Sequence, residues 1–236
     1  MLNNNAKSYL FERGIDEKTA YELGFFSASR NTAKETLNQD IGGIVIPYFS
    51  PTGELWTQRL RSLSNDWENN QELRDYYLKE NGKLPKFLSI KGTKNKPYLT
   101  PCLNWEKVYK NPSQDLIITE GELKGVLPCL NKIPTIALSG ANNFVTTNDD
   151  GHTEFLPELE QIKWENRAVA ICFDSDIITN IAVQYAAVKL ANQLARRQAK
   201  PFLVVLPREL NGDKNGIDDF IVKHGIKAFK ELINWH

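Results

Sequence analysis

Two aspartates one residue apart, Asp174 and Asp176, follow directly on an apolar run, Val169-Ala170-Ile171-Cys172-Phe173. A run of that length suits a strand covered on both faces, as in a parallel sheet with helices above and below. Residues just past the carboxyl end of such a strand lie in the crevice where open α/β sheets bind ligands. Two carboxylates so close repel each other unless a cation or a proton stands between them. Two more strand-like runs end in a similar way. Leu116-Ile117-Ile118-Thr119 runs into Glu120-Gly121, and Thr135-Ile136-Ala137-Leu138 runs into Ser139-Gly140. A fourth, Phe202 to Leu206, is followed by a polar loop that leads to Gly216-Ile217-Asp218-Asp219-Phe220. Right-handed crossovers would bring all four strand ends to one edge of a sheet. Glu120, Asp174, Asp176 and Asp218 would then share one crevice. An oxygen-only set without histidine or thiol suits Mg²⁺ or Mn²⁺ and not zinc. Such an ion offsets phosphate charge and orients an attacking and a leaving oxygen. Gly121 and Gly140 carry no side chain where the backbone must turn beside the acids. The plainer alternative is that Asp174 and Asp176 only turn the chain and cap the next helix.

The elements that must position these residues fall into two parts, with a boundary near Asn111. From 112 onward, strands and helices alternate as in a parallel α/β unit. A helix is expected from about Glu122 to Leu130 and a long amphipathic one from Thr179 to Arg197, with Ile181, Val188 and Ala195 along one face and Leu190 and Leu194 close by. The C-terminal stretch is expected to form another helix. Before 112 the pattern differs. Ala6 to Arg13 reads as a short helix stopped by Gly14, and Asp16 as the N-cap of a second helix, Glu17 to Leu23. Ile44 to Phe49, the turn Ser50-Pro51-Thr52-Gly53 and Glu54 to Leu60 read as a β-hairpin. Asn65 to Gly82 is a polar surface helix. Lys83 to Lys96 holds five lysines and no acid, and with Arg59 and Arg61 it is the best candidate for a basic patch.

Lysine plus arginine number 29 and aspartate plus glutamate 29, so the formal net charge is zero and no global field draws the chain to nucleic acid or membrane. Any such partner is met by a local patch. The three cysteines, Cys102, Cys129 and Cys172, are far apart and form no Cys-x-x-Cys, which argues against a zinc site or disulfide scaffold and for a reducing compartment. The N-terminus lacks the apolar core of a signal peptide and no run approaches membrane-spanning length, so the expected location is the cytoplasm. His152, His224 and His236 are scattered and read as surface residues. Trp56, Trp67, Trp105, Trp164 and Trp235 read as packing before they read as base-stacking platforms. No Gly-x-x-x-x-Gly-Lys-Ser/Thr loop is present, which excludes a helicase motor.

Ile117-Ile118-Thr119-Glu120-Gly121 resembles the first motif of the Toprim fold, and Cys172-Phe173-Asp174-Ser175-Asp176 its Asp-x-Asp motif. Tyr9 to Ile15 with Leu23-Gly24, Ile46-Pro47 through Gly53 to Arg61, Pro85 to Ser89, and Gly216 to Phe220 resemble, in order, segments of the catalytic core of bacterial DnaG-type primases. The resemblance is to the primase-like Toprim proteins of plasmids, phages and mobile elements. It implies a Rossmann-like α/β domain at 112–236, a parallel four-stranded sheet with helices on both faces. A smaller α+β subdomain would precede it at 1–111. It implies Glu120, Asp174 and Asp176 as catalytic acids, with Asp218 joining them as metal ligands for Mg²⁺ or Mn²⁺. Arg59, Arg61, Lys91, Lys94, Lys96 and Lys124 would contact nucleic acid or nucleotide. The expected partners are a single-stranded DNA template and nucleoside triphosphates, with a helicase or template-binding protein beside them and no membrane. Two departures stand out: Lys124 occupies a place where many primases carry an acid, and no zinc module precedes the core. The activity expected is metal-dependent nucleotidyl transfer. The alternatives are phosphodiester cleavage at the same site, or a degenerate domain that only binds nucleic acid.

Overall fold

Asn3 and Asp16 set where the first two helices begin. Each carboxamide or carboxylate accepts a backbone N–H three residues on, from Ala6 at 2.9 Å and Thr19 at 2.7 Å. The helices are α1 (Asn4–Phe11) and α2 (Glu17–Glu22). They belong to the first of two units in the computed structural model, which describes residues 1–208 and 214–234. The first unit comprises Met1–Tyr48 and Leu55–Thr93, the second Phe49–Glu54 and Lys94–His236.

In the first unit β1 (Phe26–Ala28), β2 (Gly43–Phe49), β3 (Leu55–Arg61) and β4 (Phe87–Ser89) form a sheet in that order. Helix α3 (Arg30–Leu37) buries Ala33 and Leu37 against Val45, Leu60, Trp67 and Leu88. The polar stretch read as one surface helix is two, α4 (Ser64–Glu68) and α5 (Gln71–Asn81). Trp67 anchors the first of them, with its indole N–H on Ser62 Oγ at 3.0 Å.

The second unit is built on a sheet of five strands. These are β5 (Tyr98–Leu99), β6 (Leu116–Glu120), β7 (Thr135–Leu138), β10 (Ala168–Ile171) and β11 (Lys200–Leu203). Helix α6 (Trp105–Lys110) precedes β6, and β8 (Val145–Thr147) pairs with β9 (Thr153–Phe155) as a separate hairpin. The five-stranded order is β11-β10-β6-β7-β5, with β11, β10, β6 and β7 parallel and β5 antiparallel to β7. The expected all-parallel sheet of four is therefore corrected to a mixed sheet of five. A two-residue strand is too short to carry a periodic signal. The division at Thr93–Lys94 also precedes the 111/112 boundary read from sequence, because β5 and α6 pack with the second unit. Arg167, fully buried, pins the end of α6 by donating from its guanidinium to Val108 O and Asn111 O, both at 2.7 Å.

Short helices α7 (Val126–Leu130) and α8 (Pro157–Glu160) and the longer α9 (Ile181–Arg196) and α10 (Ile217–Ile233) complete the unit. Ala170 and Cys172 face a cluster with Leu127 of α7 and Ile217, Phe220 and Phe229 of α10. Ile171 alternates to the other side, beside Ala187 of α9. On α9 the sequence reading set Ile181, Val188 and Ala195 along the apolar face with Leu190 and Leu194 close by; Leu190 and Leu194 are buried together with Ala186 and Ala187, whereas Ile181 and Val188 are 69% and 58% exposed. The strand beneath, β11, is the sheet edge, so the helix finds apolar surface on one side only. Cys129 and Cys172 are fully buried and Cys102 partly so, all as free thiols. Burial pushes Cys129 up to about 12 and raises Cys172 and Cys102 above the ordinary thiol value. Among the described residues no helix is long and apolar enough to cross a membrane.

Candidate active site

Glu120 closes β6, and β10 leads through Cys172 and Phe173 to Asp174, so two parallel neighbours deliver acids to one edge. The loop after β10 is a single 3₁₀ turn, Ser175–Ile178. It is stitched to the entry of α10: Ser175 N–H donates to Asn215 O at 3.0 Å, and Asn215 N–H donates to Ser175 Oγ at 2.8 Å. Ser175 and Asn215 are both buried. This pair of bonds brings Lys214 to Asp174 and Asp176. At the head of α10 the Asp219 carboxylate accepts the Gly216 N–H at 3.1 Å, while Asp218 is fully buried.

Two ammonium groups sit among these acids. Lys124, in the 3₁₀ turn Glu122–Gly125 after β6, donates from Nζ to Asp174 Oδ1, and the two side chains are only 18% and 12% exposed. Lys214 Nζ lies 3.4 Å from Asp174 Oδ2 and 3.7 Å from Asp176 Oδ2, with its side chain 61% exposed. The Lys124 stem runs between two glycines. A Cβ on Gly121 would touch its Cε at 3.6 Å, and a Cβ on Gly216 would stand 3.0 Å from the same atom. Gly121 also has φ +93°, a region that L side chains rarely adopt, where the chain leaves β6. Gly140 serves a different end. A Cβ there would stand 3.1 Å from Asn143 Nδ2, which donates to Ser139 Oγ at 2.9 Å and ties the turn after β7.

Charges shift one another here. Burial raises the Glu120 carboxyl above its ordinary value; Lys124 and Lys214 pull it down, and Asp174 and Asp176 push it up. Burial lowers Lys214, but Asp174, Asp176 and Glu120 outweigh it and hold the ammonium above its ordinary value. Among the described residues no three His, Cys, Asp or Glu side chains stand close enough to hold a metal as they are. The acids are separated by lysines instead. The donor set nonetheless consists of carboxylate oxygens, and Lys214 already bridges an oxygen of Asp174 and one of Asp176, so the residues fit a hard cation there.

The six basic residues singled out from sequence divide three ways. Arg59 and Arg61 share one face of β3 and stand opposite Ser89 and Phe87 of β4. Arg61 lies over both Tyr9 (4.9 Å) and Phe87 (5.0 Å), Arg13 covers Tyr9 at 4.9 Å, and Arg59 covers Phe87 at 5.0 Å. Guanidinium and ring thus alternate along Arg13–Tyr9–Arg61–Phe87–Arg59. Arg61 is fixed by bonds from Nε to Tyr9 Oη at 2.9 Å and from an Nη to Lys86 O at 3.1 Å. Beside it lies a cleft of about 620 Å³ lined by Ser8, Ser62, Asn65, Arg74 and Lys86 among others. Lys91 and Lys94 are exposed, Lys94 lying 3.9 Å from Asp149, and Lys96 is bound to Glu158. Lys124 belongs to the acidic edge. Lys214, Tyr9, Arg13 and Phe87 were not singled out. Tyr9 and Arg13 are four residues apart at the first helix, and Arg59 and Arg61 two apart on a strand, so their spacings already placed each pair on one face.

The chain aligns with solved primase structures over almost its whole length. It covers 98% of itself and 56% of an Aquifex aeolicus primase comprising zinc-binding and RNA polymerase domains, at TM-score 0.62 and 18% identity. For a DNA primase domain from Pseudomonas aeruginosa the figures are 99%, 72%, 0.63 and 17%. For a DnaG primase catalytic domain bound to ssDNA they are 98%, 73%, 0.59 and 16%. The fold is thus a mixed α/β one similar to the primase catalytic core. An uncharacterized protein of Picosynechococcus sp. is 32% identical over 132 residues, 52% of this chain but 13% of that protein. The chain therefore spans a small part of that relative. Residues 104–228, which contain every member of the acidic site, match a family model described as a domain of unknown function (DUF3854), and the chain belongs to that family.

Proposed function

We propose that the chain is the core of a primase-like nucleotidyltransferase, with a Toprim domain as its second unit, acting on a DNA template in the replication of a mobile element with Mg²⁺ or Mn²⁺. The observation that carries this reading is the meeting of Glu120, Asp174 and Asp176 at the carboxyl edge of parallel strands, in a fold similar to primase cores. Asp174 and Asp176 would hold the divalent ion, which when bound compensates the charge of a nucleoside triphosphate. In the reaction a 3′-hydroxyl oxygen bonds to the α-phosphorus, the bond to the pyrophosphate oxygen breaks, and the hydroxyl proton must leave. Glu120, its carboxyl raised by burial, would take that proton. The guanidinium–aromatic ladder of the first unit would hold single-stranded template through phosphate contacts and base stacking.

One observation favours a second reading, in which the site binds nucleic acid without turnover: Lys124 already neutralises Asp174. The two are separated by incubating the chain with end-labelled single-stranded DNA, labelled nucleoside triphosphates and Mg²⁺ or Mn²⁺, beside Asp174→Asn and Glu120→Gln. New or longer products lost in both variants support nucleotidyl transfer. Shorter fragments lost in both replace it with phosphodiester cleavage. Binding without any product in the wild type supports the second reading.

A further inference from the structure

We infer that Lys124 is a permanently seated cation of the acidic edge, so that the site accepts one divalent ion where an all-carboxylate site would accept two. The inference rests on the metal-dependent reading above and concerns how many ions that site holds.

The two lysines at the edge differ in how they are held. Lys124 reaches Asp174 from within: its stem passes between Gly121 and Gly216, its ammonium is bonded to Oδ1, and both partners are largely buried. Gly216 has φ −95° and ψ 174°, a conformation open to any residue, so glycine at this position answers to space. A Cβ would crowd Lys124 and Asp218 together. Lys214 approaches from solvent, is mostly exposed, and spans Asp174 Oδ2 and Asp176 Oδ2 at 3.4 and 3.7 Å. A cation between those two oxygens is thus already accommodated, and the one present has an open route into water. Asp174 Oδ1, by contrast, is engaged by an ammonium that has no equivalent route out.

A second divalent ion would compete with Lys124 for the same carboxylate oxygen. Lys124 is therefore a positioning residue: it fixes the Asp174 carboxylate so that Oδ2 faces the exchangeable place. A site with one seated lysine and one mobile ion keeps part of its positive charge at all metal concentrations.

The test is a Mn²⁺ titration of the full chain, following the free ion by electron paramagnetic resonance, with no nucleotide present. The wild type is expected to bind one ion, Lys124→Arg one ion, and Asp174→Asn none. Lys124→Met is expected to bind two ions, since a competing unit charge has been removed. Lys214→Met is expected to bind one ion more tightly, without a change in number. Two ions in the wild type, or Lys124→Met indistinguishable from wild type while folded by circular dichroism, overturns the inference and leaves the metal-dependent reading intact. No ion bound by any of these chains overturns both. Should Lys124→Met fail to fold, a rise in the number of ions bound by Lys214→Met overturns the assignment on its own.

Discussion

Alanine at Gly216 probes the packing that seats Lys124. A Cβ at this position would stand 2.7 Å from Asp218 Oδ1, 3.0 Å from Lys124 Cε and 3.3 Å from Asp219 Oδ2. The first distance is shorter than real Cβ contacts allow, and Asp218 is fully buried, so its carboxylate has no solvent to move into. The backbone conformation is not strained for alanine. Overpacking of this kind costs about 1–3 kcal/mol. Replacing glycine by alanine at a helix N-cap adds a few tenths, and the reduced freedom of the unfolded chain returns about 0.4–1 kcal/mol. The net expectation is a loss of about 0.3–3 kcal/mol, which for a chain of this size lowers the melting temperature by roughly 1–12 °C. Thermal unfolding by circular dichroism, with urea midpoints as a second measure, reads the effect. Adding Lys124→Ala should return part of the loss, about 0.5 kcal/mol or more of coupling, because one of the three contacts disappears. A Gly216→Ala chain as stable as wild type refutes the steric account. Strict additivity with Lys124→Ala refutes the lysine's share in it.

Glu120→Gln should stabilise the fold slightly at pH 7 and, on the nucleotidyl-transfer reading, abolish turnover. The folded carboxyl lies above its ordinary value of 4.5, so folding with Glu120 ionised is unfavourable. The difference between variant and wild type should therefore shrink as pH falls and vanish below that ordinary value, and pH-dependent urea unfolding measures it. Arg61→Ala should weaken single-stranded DNA binding about tenfold at low salt and reduce the slope of log affinity against log salt by about 0.7; fluorescence anisotropy at several salt concentrations checks this, and an unchanged slope rejects the phosphate contact. Asp40 receives Arg30 Nε and an Nη at 2.9 and 2.8 Å, which pulls its carboxyl from 3.8 to about 2. Because the pair is exposed, Asp40→Asn should lower the melting temperature by no more than a few degrees at pH 7, and the difference should fade between about pH 4 and pH 2, seen by melting across that range.

Much of the acidic edge was legible because its strands are apolar runs of four or five residues that stop at acids or glycines. Leu116 to Glu120 and Thr135 to Leu138 were read almost residue for residue. Asp16 was legible as a cap because its role is local. What escaped was set by distant partners. β1, β4 and β5 have two or three residues each and exist through pairing. Lys214 meets Asp174 only because Ser175 and Asn215 exchange hydrogen bonds across 40 residues. The buried face of α9 depends on where β11 ends the sheet, which no periodicity within the helix states. Lys124 stood out as a departure, but its partner lay 50 residues away, and its type alone suggested a phosphate contact.

The two fully buried thiols make the second unit its own chronometer. Cys172 lies two residues before Asp174 at the end of β10, and Cys129 on α7 donates to Thr135 O at 3.5 Å. Neither reacts with an aromatic disulfide reagent until the structure around it opens, and their raised pKa values slow them further. Labelling rates under native conditions, divided by the rate for an unhindered thiol, give the free energy of each opening separately. A ligand that settles on Asp174 only in the closed form slows Cys172 labelling by the factor 1 + [L]/Kd. Occupancy of the acidic edge can thus be timed from inside the sheet, in a protein carrying no added probe and performing no reaction.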